Sequence, residues 1–171
     1  MRQRAVNAVE VENSGLLKQV DAVTVSVPDL DSGLEFYVDR LGHRLKWRND
    51  ATGQAGLALP HGDTELVLST QQSYEPNWLV ESVDAAVQVF RSSGGAVVAE
   101  PFDIPVGRAA VVSDPFGNDL VLVDLSKGVY ETDEDQRVTG VSPRSEDDLV
   151  SGSGNDTPGS LGVSAPDPYT S

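Results

Sequence analysis

Two stretches of this chain open with alternating apolar and polar residues and then change to helical spacing. In VDAVTVSVPDLDSGLEFYVDRLG the alternation predicts a strand. Leu30, Leu34, Tyr37, Val38 and Leu41 then share one helical face, with Asp29 or Asp31 placed to cap it. NWLVESVDAAVQVFRSSGG repeats the change, with Ser82 as cap and Val83, Val87 and Phe90 as the apolar face. The first unit continues through HRLKWR, GQAGLALP and TELVLST, the second through AVVAEP, GRAAVVSDPFGN and DLVLVD. Val27-Pro28-Asp29-Leu30-Asp31 aligns with Val80-Glu81-Ser82-Val83-Asp84 at an offset of 53, and Leu66-Val67-Leu68 with Leu120-Val121-Leu122 at 54. Each unit reads strand–helix–strand–strand–strand. The predicted fold is α+β, two βαβββ modules (about 19–70 and 74–125) in one domain over residues 19–128. PHGD and DPFGN supply the glycine-bearing turns before each module's last strand.

A module of this kind has a helix on one sheet face only, so two side by side leave a cleft lined by both sheets. Outside the repeat, residues 1–18 lack a period and are expected to form a loose arm. Residues 129–171 are acidic and rich in Ser, Gly and Pro, and are expected to be a disordered tail.

Net charge is −15. Residues 130–171 hold nine acids against Arg137 and Arg144, a net of −7, which leaves −8 for the rest. Both parts repel phosphate backbones, so nucleic acid is not an expected partner. No apolar run is long enough for a membrane span, and MRQRAVNAVEVENSG lacks the apolar core of a secretory signal. Absence of cysteine removes disulfides, thiol catalysis and zinc–thiolate sites, and a cytoplasmic location is the expectation. The two histidines, His43 and His61, fall at a helix exit and in a turn. Gly94-Gly95 ends the second helix and opens no phosphate loop.

VDAVTVSVPDLDSGLEFYVDRLGHRLKWR resembles the opening module of the vicinal oxygen chelate (glyoxalase/bleomycin-resistance) superfamily. NWLVESVDAAV followed by GRAAVVSDPFGNDLVLVD resembles its closing module, with the D-P-x-G-N turn. The likeness covers about 110 residues and implies the fold. It leaves the function open, because the superfamily holds lyases, dioxygenases, epimerases, thiol transferases and drug-binding proteins. The resemblance also implies four metal-ligand slots facing the cleft, which here hold Ala22, Val67, Glu75 and Val121. Three have no donor atom, and a divalent site needs about three protein ligands. No metal and no other cofactor is therefore expected.

Counting by twos from those slots gives the expected cleft lining. It comprises Ala22, Thr24 and Ser26; Glu65, Val67 and Ser69; Glu75, Asn77 and Leu79; and Asp119, Val121 and Val123. The opposite parity, including Leu66, Leu68, Trp78, Leu120 and Leu122, is expected to pack on the helices. Tyr74, Trp47 and Phe102 are candidate rim aromatics of unfixed parity. Arg108 either anchors an anionic ligand or pairs with an acid; in so acidic a domain the ion pair is expected. Glu65 and Asp119 could equally be solvated strand-end acids. Apolar neighbours would raise the pKa of Glu75 toward that of a usable general base.

Three readings follow. The first is metal-free binding of a small organic ligand, drug or metabolite, with cationic or amine-bearing compounds favoured by the three carboxylates. The second is a metal-independent isomerase or lyase with Glu75 as catalytic base. The third is a partner-binding module, which a cleft filled by its own side chains would favour. A homodimer is expected by analogy with the family.

Overall fold

The computed structural model describes residues 15–144. It is an α+β fold in which one curved eight-stranded sheet carries helices on its convex face. Strand β1 (Gln19–Ser26) leads to α1 (Leu30–Leu34), which continues as a π-helical segment (Glu35–Arg40); β2 (Arg44–Asn49), β3 (Gln54–Ala58) and β4 (Glu65–Ser69) follow. The second module repeats the order with β5 (Glu75–Leu79), α2 (Val83–Ser92), β6 (Ala96–Ile104), β7 (Gly107–Ser113) and β8 (Asp119–Asp124). Both helix starts are capped as the sequence predicts: the Asp29 carboxylate accepts the Ser32 N–H at 2.7 Å, and the Ser82 hydroxyl accepts the Ala85 N–H at 3.2 Å.

Sheet order is β2-β3-β4-β1-β5-β8-β7-β6. In each module the first and last strands run parallel across the helical crossover, and β1 pairs antiparallel with β5. The modules therefore join edge to edge within one chain. In the D-P-x-G-N turn, Asp114 accepts the Phe116 and Asn118 N–H groups at 2.8 and 2.9 Å. Gly117, at φ 90°, supplies the left-handed residue that the turn requires.

Three apolar clusters hold the fold. Val27, Leu30, Ala55, Leu57 and Leu68 pack under α1, and Val80, Val83, Ala86, Val87, Ala110, Val112 and Leu122 under α2. Trp78 joins the α2 cluster, on the helix side as its parity predicts. The third cluster lies on the concave face and contains Ala22, Val67, Val121 and Val123 with Trp47 and Tyr130.

Both ends of the described chain correct the sequence reading. Leu16 and Leu17 pack against the α2 cluster and the Lys18 N–H donates to the Leu79 carbonyl at 2.8 Å, so this part of the arm is docked. The stretch read as the start of a disordered tail forms a hairpin, β9 (Val129–Thr132) and β10 (Val138–Ser142). Tyr130 is its anchor, buried in the concave cluster. Residues 1–14 and 145–171, which hold the rest of the expected arm and tail, lie outside the described residues.

Candidate functional site

Strand register arranges the concave face in two rows. Glu65, Ala22, Asn77 and Val121 stand side by side across β4, β1, β5 and β8; Val67, Thr24 and Glu75 form the next row. The two rows behave differently.

The first row is covered. Glu65 is 2% exposed and accepts from Lys46 Nζ at 2.7 Å and from the Trp47 indole N–H at 3.0 Å. The indole can reach β4 because Gly56 stands beneath it: a Cβ there would meet Trp47 Nε1 at 2.1 Å. Tyr130 packs on Trp47 with ring centroids 5.1 Å apart, and burial pushes its phenol pKa up. A solvated strand-end role for Glu65 is thus overturned.

Asp21 lies beside this group and breaks the alternation. The β1–β5 register shifts between Val20 and Ala22, so Asp21 and Ala22 are both buried. Burial, then the neighbouring Glu65 charge, pushes the Asp21 carboxyl up to about 7, against the opposing pull of Arg144 and Lys46. Its Oδ2 makes no hydrogen bond among the described residues.

The second row is open at one end. Glu75 is half-buried, and desolvation raises its carboxyl to about 7. Its Oε1 and the fully buried Thr24 Oγ1 make no hydrogen bond among the described residues, and the two residues are cross-strand partners. Ser26 and Asp119 are exposed at the same end of the sheet. Tyr74 and Phe116, just before β5 and β8, stand there 74% and 87% exposed.

Of the predicted residues, Ala22, Thr24, Glu65, Val67, Asn77 and Val121 are buried, Glu75 is half-buried, and Ser26 and Asp119 mark the open end. Arg108 joins neither. It pairs with Asp84 of α2 at 2.9 Å and with Asp103 at 3.0 Å, away from the concave cluster, the ion-pair alternative of the two weighed for it. Phe102 packs against the concave cluster, and Trp47 is buried in it instead of lining a rim.

Sequence reasoning missed Asp21, Lys46 and Tyr130. A bulge hides the first from a count by twos. For Tyr130 a signal existed: VYET and VTGVS, separated by DEDQR, have the form of two short strands and a polar turn.

The family's metal slots do not suit a metal here. Ala22, Val67 and Val121 are packed in one apolar cluster, and no group of three or more metal-binding side chains occurs among the described residues. Nor is any described helix long and apolar enough to cross a membrane.

A family model described as Glyoxalase/Bleomycin resistance protein/Dioxygenase superfamily matches residues 19–122. An uncharacterized protein of Mycolicibacterium smegmatis is 36% identical over 109 residues, 60% of this chain and 90% of the relative. A Mycobacterium bovis protein named "Putative glyoxylase CFP32" is 35% identical over 122 residues, 67% of this chain; the match spans 46% of that relative's length. Among solved structures, methylmalonyl-CoA epimerase from Mycobacterium tuberculosis matches with TM-score 0.53 and 26% identity, over 68% of this chain and 94% of that one.

Proposed function

The chain belongs to the Glyoxalase/Bleomycin resistance protein/Dioxygenase superfamily, and on that footing we propose that it is a metal-independent binder of a small amine-bearing aromatic compound. The observation that carries this reading is a pair of buried oxygens without a hydrogen-bond partner among the described residues, Thr24 Oγ1 and Glu75 Oε1, opposite one another on β1 and β5. Such atoms are costly to bury unless ordered water or a ligand supplies the missing hydrogen bonds. An ammonium group is donor-only and suits both. Asp119 at the rim adds negative charge, and Tyr74 and Phe116 offer aromatic faces to a cation or a ring.

The test is calorimetry with three matched compounds: benzylamine, benzyl alcohol and benzoate. Benzylamine is expected to bind best and benzoate worst, and Glu75→Gln is expected to erase the difference. Equal affinity for all three, or none for any, defeats the reading.

A second reading rests on Glu75 alone. A half-exposed carboxyl with a pKa near 7 is matched to general-base work at neutral pH. It would take a proton from carbon beside a carbonyl. Protonation of the resulting enolate by water from the opposite face would invert the centre while Glu75 gives its proton to solvent, an isomerase step. Because the similar structure is a methylmalonyl-CoA epimerase, that thioester is the first substrate to try. Uptake of deuterium from D2O into it, abolished by Glu75→Gln, supports catalysis; no uptake leaves binding alone.

A further inference from the structure

We propose that Tyr130 is a resident occupant of the concave face, a side chain of this chain seated where the other half of a longer ligand would lie, and that it thereby sets the size of the ligand site. This rests on the reading of the Glu75 end as that site. The phenol ring belongs to the hairpin, not to the eight-stranded sheet, yet it is 3% exposed and packs on Trp47 within the cluster that holds Ala22, Val67 and Val121. Those three residues fill ligand slots of the family cleft, so the ring covers its floor.

The seat is specific to an aromatic ring. Gly56 lets the indole lie flat as one wall, and Ile104, Val106 and Val111 complete an apolar surround. Asn49 and Glu65 stand near the phenol oxygen, which is buried and makes no hydrogen bond among the described residues, so the seat is apolar and its fit is to the ring. The hairpin is held over the seat at the β2 edge, where the Arg48 N–H donates to the Gln136 carbonyl at 2.8 Å and Arg137 pairs with Asp50.

Val67 connects the seat with the open end. It belongs to the cluster around Tyr130 and is the register partner of Thr24, the residue opposite Glu75. Removing the ring therefore leaves a hole that shares a wall with the proposed ammonium site. A compound with one ring fits the native protein, whereas a fused two-ring amine needs the space that Tyr130 takes.

The experiment uses the full chain and its Tyr130→Ala variant with three probes: p-cresol, benzylamine and 1-naphthylmethylamine. p-Cresol, which carries the ring and hydroxyl that were removed, is expected to raise the melting temperature of the variant and leave the native protein unmoved. The ratio of naphthylmethylamine to benzylamine affinity is expected to rise at least tenfold in the variant. If the variant does not fold alone, refolding with p-cresol is expected to restore its near-ultraviolet circular dichroism. Failure of p-cresol to stabilise or restore the variant overturns the seat, and an unchanged affinity ratio overturns its role in ligand size. Stabilisation by p-cresol with neither amine binding either protein refutes the Glu75 reading and the size-setting role together, and leaves the seat standing.

Discussion

Replacing Asp21 with asparagine should stabilise this protein at pH 8 and leave it unchanged in acid. Burial raises the Asp21 carboxyl from 3.8 to about 7, so between those values the native state keeps a proton that the unfolded chain has released. The stability it contributes is complete below the unfolded value and is lost as pH rises through about 7. A rise of that size corresponds to about 4 kcal/mol at pH 8, of which about 3 kcal/mol is lost between pH 5 and 8. Asparagine has the shape of the protonated acid and cannot ionise. Urea unfolding of both proteins at pH 5, 6, 7 and 8, followed by tryptophan fluorescence, gives the difference directly. Glu75, also raised, acts equally in both proteins and cancels. A difference that stays constant from pH 5 to 8 refutes the assignment of this titration to Asp21.

Benzylamine affinity should rise about tenfold from pH 6 to pH 8, because ligand binds the ionised form of a Glu75 whose carboxyl lies near 7; calorimetry in buffers of different ionisation enthalpy should show about one proton released at the lower pH. Gly56→Ala puts a methyl group on the Trp47 indole and should cost about 1–3 kcal/mol, read as a lower urea midpoint with weaker near-ultraviolet dichroism. Asp124 is buried and accepts the Val83 and Arg108 N–H groups at 2.8 and 3.0 Å, so Asp124→Ala should cost about 3 kcal/mol or more in urea unfolding, against less than about 1 kcal/mol for Arg108→Ala.

The count by twos reads well where strands are regular. Val67 and Val121 face the concave side while Leu68 and Leu122 face the helices, as the alternation predicts. It fails where the register shifts. The bulge at Asp21 turns an acid inward, and a second shift between Leu45 and Trp47 leaves the parity of that indole unreadable. The unpartnered oxygens at Thr24 and Glu75 are foreshadowed by residue type, but their burial is set by neighbours far along the chain. The hairpin escaped for a different reason. Its anchor is one apolar pair, Val129-Tyr130, in a stretch whose average composition is that of a solvated tail, and averages over many residues do not register a single buried ring.

The two-module layout also fixes an order of events during synthesis. The last strand of the eight-stranded sheet ends at Asp124, but the cover of its concave face arrives with residues 129–142. A ribosome working from the N-terminus thus completes the sheet first, while Ala22, Val67, Val121 and Trp47 still face water. Chains stopped just after β8 carry a bare apolar surface and are the species that chaperones would hold. The contact between Tyr130 and Trp47, separated by most of the domain, is the step that ends that exposure.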